Sequence, residues 1–462
     1  MNYRSVTPCR GVRFMPTLIG MSASLRRLRR RVLLGGALVP VAAVATALGI
    51  PGAAAAPGPE VHAAMVAGRD TRLAFDLDDA LPEHPDLVRR LQWMRAGEVP
   101  AARPGDLRVA TFSAGLSRSV PGRLAEEVSA PGSERAERVA ETVQRAAPDV
   151  VLLTDVDVDG GDEAARDFRT NYLAVGTGGQ EGIDYPYVYT AEVNNGVDTG
   201  ADLDDDGVIG GTGDSFGPGE FAGQHGMVLY SRYPLDTGSI RTFRDLRWDE
   251  MPYNALPEDD YTELERSVLR LSSTAHWDIP VRVGGRTVHV LASQPVDPAS
   301  GESSAARHHD EMRFWSDYVT GRGDYITDDA GRSGGLARDS DFVLAGTFGD
   351  RTGTALDEDH PSAIRALLDA EVIRDPEPES AGARAADRDE ATATHAVRDG
   401  EGELVLDRTD FVLPSASLST SASGVFWPLP GQLGSHLTPT GGDADRAGLS
   451  EHRLVWADVT LG

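Results

Sequence analysis

Carboxylate, imidazole, amide and hydroxyl side chains lie directly beside runs of apolar residues in six short segments, at 111–115, 152–157, 291–295, 345–350, 408–415 and 450–456. Asp155, Gln294 and Thr347 each follow such a run, whereas Glu451 and His452 directly precede one. Carboxylates hold hard divalent cations, an imidazole transfers protons near neutral pH, and amides or hydroxyls donate hydrogen bonds to anions. These side chains therefore have the chemical types that metal-assisted or acid–base chemistry requires.

The apolar residues from position 105 onward follow the pattern of an α/β domain. A strand is predicted at Leu107–Phe112, a helix where apolar residues recur between 136 and 147, and a buried strand at Val150–Leu153. The further predicted strands are Gly226–Tyr230, Val281–Val283, Val288–Ala292, Phe342–Ala345, Asp410–Leu413 and Arg453–Leu461. Residues at strand ends can converge on one edge of a sheet, which predicts a cleft there.

Two polar segments interrupt this pattern and a polar region precedes it. Residues 190–224 are rich in Gly and Asp, and residues 374–404 are rich in Ala, Asp, Glu and Arg, which predicts surface insertions rather than linkers. Residues 56–104 contain one predicted helix around Pro85–Ala96 and are interpreted as an N-terminal arm without chemistry. The predicted domain spans residues 105–462.

Further motifs outside these segments carry a resemblance to a known family. They are YPYVY at 185–189, GQHGM at 223–227, SRYP at 231–234, HWD at 276–278, HDEMRFW at 309–315 and GVFWP at 424–428. With them, the chain resembles exported bacterial members of the endonuclease/exonuclease/phosphatase superfamily. The resemblance implies an α/β fold, a four-layer sandwich of two β-sheets flanked by helices, as in DNase I-like proteins. It also implies cleavage of phosphate esters with Mg²⁺ or Mn²⁺.

The resemblance assigns roles to positions at which this chain mostly carries a different residue. Ser113 stands where relatives have Asn, and Gln294 stands where they have a His, which it cannot replace as a proton carrier. In the GDxN element, Thr347 replaces the Asp that positions or activates water, and Gly349 replaces the Asn. Asp155 replaces the metal-holding Glu and keeps its charge on a shorter side chain.

The closing elements of the family pattern are better kept. Glu451 replaces an Asp beside His452, which is the one retained core group, and Asp410 keeps the position of a carboxylate that supports the site. The resemblance thus implies a weak Mg²⁺ or Mn²⁺ site at Asp155 and Glu451. Asp350 lies near the lost carboxylate but has the wrong parity if the strand continues.

These substitutions lead to two competing interpretations of function. Loss of a general acid or base costs about 10²–10⁴ in rate, and loss of a charge-stabilising donor about 10²–10³. Such losses are not additive. The four at Ser113, Gln294, Thr347 and Gly349 nevertheless together predict a catalytically silent or strongly impaired protein that keeps a phosphate-ester-binding cleft. The alternative is an active Mg²⁺- or Mn²⁺-dependent phosphodiesterase or phosphatase with a remodelled site of Asp155, Glu451 and His452.

The other histidines have plainer interpretations. His308 and His309 fall on a predicted helix with Glu311, which favours a solvated face over metal binding. His276 lies beside a tryptophan and is expected to pack rather than to react. His452 alone would be an ordinary loop histidine, and only its place in the SEH element indicates a role.

A second metal site is predicted in the first insertion. Asp202, Asp204 and Asp206 alternate and are followed by the turn-forming Gly207, which matches the first half of an EF-hand-like calcium loop. The second half fails, because the twelfth position is Gly213 instead of Glu and no helical pattern flanks the loop. A weak Ca²⁺ site and an acidic surface turn are both left open.

Residues 1–55 have the composition of an export signal. Arginines precede an apolar run at Val32–Ile50, small residues follow it, and cleavage is expected after Ala55. The pair Arg29-Arg30 loosely fits the twin-arginine pattern, Met21 is an alternative start, and an uncleaved single-span anchor is the alternative interpretation. A secreted, extracellular protein without a membrane span after cleavage is expected.

The charge balance restricts the partners. The chain has 44 basic and 72 acidic residues, a formal net charge of −28, and no lysine. Such a surface repels polyanions, which argues against a nucleic acid partner but is compatible with a small phosphate-ester ligand. The only cysteine, Cys9, lies in the predicted signal, so no disulfide and no Cys-based metal site is expected. The sequence does not predict an oligomeric state.

Overall fold

The computed structural model describes residues 92–257, 259–349, 355–356, 360–438 and 449–461. The predicted export signal and most of the predicted arm lie outside the described residues. Residues 92–95 are helical, which agrees with the end of the helix predicted around Pro85–Ala96. Within the described part of the chain, no helix has the length and apolar character needed to cross a membrane.

Strands dominate the described residues and are numbered in chain order. They are β1 (Asp106–Leu116), β2 (Val150–Val156), β3 (Tyr187–Tyr189), β4 (Gly226–Ser231), β5 (Arg241–Thr242), β6 (His276–Val283), β7 (Arg286–Ser293), β8 (Asp341–Thr347), β9 (His395–Arg398), β10 (Leu404–Asp407), β11 (Asp410–Pro414), β12 (Ser419–Val425) and β13 (Val455–Thr460). Every predicted strand coincides with or overlaps one of these. The pattern does not predict β3, β5, β9, β10 or β12, because these strands are short or polar.

The strands form two mixed sheets and one hairpin. The first sheet has the order β12-β13-β1-β2-β4-β3, with β1 and β2 parallel. The second has the order β11-β8-β7-β6-β5, with β7 and β8 parallel. All other neighbouring strands are antiparallel, including the separate hairpin of β9 and β10.

The two sheets pack face to face, so that β1 and β2 lie against β8. Along β8, Val343 and Ala345 join the core that also contains β1 and β2, whereas Phe342 and Leu344 join the apolar cluster on the other face. This alternation follows from the two-residue period of a strand. The strand is therefore buried on both faces.

Helices cover the outer faces of the sheets. They are α1 (Arg123–Val128), α2 (Glu134–Ala146), α3 (Glu163–Phe168), α4 (Glu263–Val268), α5 (Glu302–Thr320), α6 (Ala363–Leu368) and α7 (Ala381–Ala386). Helix α2 begins after Ser133, whose hydroxyl accepts a hydrogen bond from Ala136 N–H, and it packs beside β1. Helix α5 packs on the second sheet. The predicted α/β sandwich of two sheets with flanking helices is confirmed.

The prediction that His308 and His309 lie on a solvated face of α5 is wrong. Both side chains are buried, and so is Glu311, because α5 packs between the second sheet and α6. Glu311 accepts hydrogen bonds from the backbone N–H groups of Ser273 at 2.6 Å and Val296 at 2.9 Å. Backbone groups distant in sequence satisfy these polar side chains, so their polarity does not indicate exposure.

Both insertions contribute buried residues. Asn194 in the first and Thr394 in the second are fully buried. The hairpin of the second insertion is hydrogen-bonded to the segment before β13, because Arg453 N–H donates to Thr394 O at 2.7 Å and Ala396 N–H donates to Glu451 O at 3.1 Å. The second insertion therefore reaches the edge of the sandwich at which the predicted site residues lie.

Candidate functional site

Asp410, the first residue of β11, lies at the centre of the site. Its side chain is fully buried, and both carboxylate oxygens accept hydrogen bonds. Thr347 Oγ1 donates to Oδ1 at 2.8 Å, while the hydroxyls of Thr394 and Thr409 each donate to Oδ2 at 2.9 Å. His452 Nδ1 lies 2.8 Å from Oδ2. These four donors offset the free-energy cost of burying a carboxylate.

His452 and Asp410 form an imidazole–carboxylate pair. Although burial opposes charge on His452, the charge of Asp410 and its hydrogen bond raise the pKa of the imidazole. Burial likewise opposes charge on Asp410, but the charge and hydrogen bond of His452, with the hydrogen bonds of Thr347 and Thr394, lower the pKa of that carboxyl. Because Nδ1 is bound to Asp410, Nε2 is left for a ligand, and no described residue forms a hydrogen bond with it.

Thr347 connects the two sheets at this point. Its Oγ1 lies 2.8 Å from Thr154 Oγ1 on β2 and 2.8 Å from Asp410 Oδ1 on β11. A hydroxyl has one proton and an ionised carboxylate only accepts, so Thr347 donates to Asp410 and accepts from Thr154. The residue at the position of the expected water-activating Asp is therefore uncharged, and its proton is already committed.

Asp155 lies in a bulge near the end of β2. The register of β2 with β4 shifts between Thr154 and Val156, which leaves Asp155 unpaired with a φ of 56°. Its backbone N–H donates to Gln294 Oε1 at 3.0 Å. Since this contact requires an acceptor, it fixes the orientation of the Gln294 amide and leaves the two Nε2 protons for other partners.

The Asp155 carboxylate contacts His225, which immediately precedes β4. Asp155 Oδ1 lies 2.6 Å from His225 Nδ1, and His225 also has a positive φ, of 51°. Burial lowers the pKa of His225, but the hydrogen bond and charge of Asp155, with the charges of Asp157 and Glu220, raise it overall. Asp157 is buried, which raises the pKa of its carboxyl, and it accepts from the backbone N–H groups of Arg118 and His225.

The other predicted positions lie around these groups. Ser113 is buried on β1, in register with Thr154 of β2. Gly349 follows β8 with a φ of 70°, and its N–H donates to Thr409 O at 3.3 Å. Glu451 is partly exposed, with its carboxylate 3.9 Å from His395 Nε2, and no hydrogen bond or ion pair joins it to Asp155. Asp350 lies outside the described residues.

Five residues of the site are not predicted from the sequence. Thr154 and Thr409 each directly precede a predicted site residue, and that adjacency is the signal that could have identified them. His225 stands in the GQHGM motif before a buried strand, which is a weaker signal. Thr394 and His395 lie in a polar insertion without a pattern, yet the His395 ring centroid is 4.6 Å from that of His452.

A cleft of about 480 Å³ opens beside the contact between Asp155 and His225. Its walls come from the loop after β1, which includes Arg118, and from the first insertion, which includes Glu220 and Gln224. The cleft has the size of a small-ligand site. It lies at the strand-end edge at which the sequence predicts one.

The donor set at this edge does not fit a divalent ion held by several carboxylates. Asp155 Oδ1 is taken by His225, and Glu451 lies beside His395 instead of Asp155. Within the described residues, the one group of three His, Cys, Asp or Glu side chains with ligand atoms all within 4.8 Å is elsewhere, at Asp202, Asp204 and Asp206.

That acidic group has part of the geometry of a calcium loop. Gly207 has a φ of 85°, and its N–H donates to Asp202 Oδ2 at 2.9 Å. Asp214, adjacent to the twelfth loop position, is buried and accepts hydrogen bonds from two backbone N–H groups of the loop. Asp214 therefore closes the loop, while the three alternating carboxylates remain available to a cation.

A match to a family sequence model identifies the family. The sequence model of the Endonuclease/Exonuclease/phosphatase family matches residues 127–443, which is more than half of the chain. The chain therefore belongs to the endonuclease/exonuclease/phosphatase family, whose members often use divalent metal ions. No curated protein matches the chain significantly in sequence.

Several solved structures are similar to the chain. An endonuclease/exonuclease/phosphatase from Beutenbergia cavernae has 18% identity, covers 77% of this chain and 72% of its own, and has a TM-score of 0.43. A family protein from Bacteroides vulgatus has 13% identity, coverage of 77% and 99%, and a TM-score of 0.38. TDP2 from C. elegans has 10% identity, coverage of 78% and 77%, and a TM-score of 0.36.

Proposed function

We propose that this family member is catalytically silent or strongly impaired in phosphate-ester hydrolysis. The observation that carries the proposal is the hydrogen bond from Thr347 to Asp410, because it commits the only proton of the residue standing for the expected Asp. Thr347 has no charge with which to activate water. Gln294 cannot transfer a proton near neutral pH, and its Oε1 already accepts from Asp155 N–H.

We further propose that the cleft binds a small phosphate ester. Neither His452 nor Gln294 lines this cleft, but both lie near Asp155, which does: Gln294 accepts from the Asp155 backbone N–H, and the charge of Asp155 acts on His452. A ligand that extends past Asp155 would meet His452 Nε2, since Asp410 holds Nδ1, and the two N–H donors of the Gln294 amide. Such donors bind phosphoryl oxygens, most strongly when the donor carries charge. The formal net charge of −28 favours a small ester over a polyanion such as a nucleic acid.

Location and metals complete the proposal. Residues 1–55 direct the protein out of the cell. A fusion of these residues to a reporter enzyme would test this by release of the reporter into the medium.

Mg²⁺ or Mn²⁺ at Asp155 and Glu451 is not required for ligand binding, since these carboxylates have other neighbours. The three alternating aspartates of the first insertion bind Ca²⁺ weakly.

Hydrolysis assays test the catalytic part of this proposal. The purified protein and His452→Ala are compared on bis(4-nitrophenyl) phosphate and 4-nitrophenyl phosphate with Mg²⁺ or Mn²⁺. We expect the same background rate from both proteins. Metal-dependent turnover that disappears in His452→Ala would instead favour the alternative, an active hydrolase built from Asp155, Glu451 and His452.

Titration calorimetry with phenyl phosphate tests the binding part. Gln294→Ala and His452→Ala each remove one proposed donor and should weaken binding about tenfold, the effect of losing a hydrogen bond to a charged group. His436→Ala is the matched control, because His436 also pairs with a carboxylate, that of Glu141, but is not among the residues that form this site. Equal affinities in all four proteins would contradict ligand binding at this site.

A further inference from the structure

The contact between Asp155 and His225 lies at the position where the family pattern has a metal-holding carboxylate. His225 Nδ1 is 2.6 Å from Asp155 Oδ1, a distance typical of a charge-assisted hydrogen bond. Asp155 lies on β2 and His225 immediately precedes β4, 70 positions apart in the chain. Each also has a positive φ, which residues with a side chain rarely adopt. Both backbones are therefore held in unusual conformations that bring the two side chains together.

The segment that carries His225 is fixed by its neighbours. The backbone N–H of His225 donates to buried Asp157, and Gly223 O accepts from Val158 N–H at 2.8 Å. Gln224 Nε2 donates to Arg118 O at 2.7 Å, which joins this segment to the loop after β1. The His225 ring is thus anchored at the wall of the cleft, as a built part of the site.

The anchored ring gives Asp155 the partner that a metal ion would otherwise provide. A carboxylate at a ligand site needs a cation or N–H donors near it, because it otherwise repels an incoming phosphate. His225 supplies such a donor from the protein itself. Among the described residues, no further acidic, His or Cys side chains gather around Asp155 closely enough to complete a three-ligand metal site.

We propose that the His225 imidazole takes the place of the divalent cation at Asp155, so that the cleft binds its phosphate ester without a metal ion. The identity of the ligand rests on the proposed function, whereas the exclusion of the metal rests on the contact itself. The two parts can fail separately.

The ligand part is tested by calorimetry with phenyl phosphate, in EDTA and in Mg²⁺. Wild-type affinity should be equal under both conditions. His225→Asn leaves the Asp155 charge without its partner, so affinity should fall about tenfold in EDTA and recover in Mg²⁺, as expected for loss of one charge-assisted hydrogen bond. The double variant with His225→Asn and Asp155→Asn lacks both groups, and its affinity for phenyl phosphate should again be independent of metal. A wild-type affinity that rises with Mg²⁺ and loses this rise in Asp155→Asn would overturn the proposal.

The metal part is tested by Mn²⁺ binding, followed by electron paramagnetic resonance. All proteins carry Asp204→Asn, which removes the central carboxylate of the proposed calcium loop from the measurement. In this background, the protein without a further substitution and the Asp155→Asn variant should bind Mn²⁺ equally. His225→Asn should bind additional Mn²⁺, and combining it with Asp155→Asn should abolish that gain. Mn²⁺ binding by the wild-type site that Asp155→Asn removes would overturn the proposal, even if no phosphate ester binds. Absence of ester binding together with the expected Mn²⁺ result would reject only the proposed ligand. Melting curves of each variant exclude unfolded protein.

Discussion

Thr347 and Asp410 face each other across β8 and β11 and are joined by a 2.8 Å hydrogen bond from hydroxyl to carboxylate. The family pattern places an Asp at the first of these positions, which would set a like charge opposite Asp410. The hydroxyl instead supplies a donor to a fully buried acceptor. The Thr347 hydroxyl thus stabilises the support of the site, and under the proposed function it stands in place of a group able to activate water.

Removal of the Thr347 hydroxyl should destabilise the domain. In Thr347→Val, Asp410 Oδ1 loses its donor and the Thr154 hydroxyl loses its acceptor, while the shape of the side chain is kept. We expect the free energy of unfolding to fall by about 1–3 kcal/mol, as for buried polar groups left without partners. Urea unfolding measures the change. Thr347→Ser keeps the hydroxyl and should lose less, and a Val variant as stable as the wild type would contradict the hydrogen-bond assignment.

Restoring the family carboxylate by Thr347→Asp should not restore hydrolysis. The new charge would lie against Asp410, and Asp155 would still be bound to His225. We expect a lower melting temperature, because like charges within hydrogen-bond distance repel each other, and no metal-dependent turnover of bis(4-nitrophenyl) phosphate. Turnover that requires Mg²⁺ or Mn²⁺ in this single variant would show that only one substitution silences the site.

The pKa of His452 should depend on Asp410. The charge and hydrogen bond of Asp410 raise this pKa against the effect of burial, so Asp410→Asn should lower it. Because the folded-state pKa is raised, the stabilisation from this pair is complete below the unfolded value near 6.5 and is lost as pH rises through the folded value. NMR titration of the ring protons measures both proteins. An unchanged pKa of His452 in Asp410→Asn would contradict the pairing of these two side chains.

Acid should destabilise the domain through His276. This residue packs, as the sequence predicts, with its ring centroid 4.6 Å from that of Phe314 and 5.2 Å from that of Trp315, and burial lowers its pKa to about 3. Between pH 6.5 and about 3 the unfolded chain therefore binds a proton that the folded chain does not. This group removes up to about 1.4 kcal/mol of stability per pH unit as pH falls.

Urea unfolding at several pH values would measure this effect. His276→Gln should be less stable at pH 7, because it loses packing, but its stability should decline less steeply below pH 6.5. Parallel declines in the two proteins would place the acid-sensitive group elsewhere.

Calcium should raise the melting temperature slightly if the three aspartates of the first insertion bind it. A Ca²⁺ concentration of about ten times the dissociation constant stabilises the folded protein by about 1.4 kcal/mol, which corresponds to a shift of roughly 2 °C in a domain of this size. Scanning fluorimetry with Ca²⁺ measures the shift. Asp204→Asn should abolish it, and an unchanged melting temperature in the wild-type protein would reduce this loop to an acidic surface turn.

The sequence predicts the strands and the position of the site because both follow local patterns. Strands such as β2 and β8 are continuous apolar runs, and Asp155 and Thr347 lie at or just beyond the predicted ends of these runs. The contacts that these side chains make do not follow local patterns. His225 contacts Asp155 from 70 positions away and Thr394 contacts Asp410 from within a polar insertion, so no local period indicates either contact.

The same limit explains the wrong prediction for α5. The polar residues His308, His309 and Glu311 resemble a solvated face in sequence. In the fold, backbone groups from segments distant in sequence form hydrogen bonds with these side chains, and α6 covers the helix. Polarity alone does not indicate exposure when the partners are carbonyl and N–H groups of distant segments.

Thr394 links the second insertion to the chemistry of the site. Its hydroxyl donates to Asp410 Oδ2 and accepts from the backbone N–H groups of Thr409 and Asp410. One residue directly before a peripheral hairpin therefore fixes the start of β11. A descendant that deleted this hairpin together with Thr394 would lose one of the four donors to the fully buried Asp410 carboxylate. Shortening of the insertion is therefore expected only in lineages that first acquire another donor for Asp410, and chain length and site chemistry should change together.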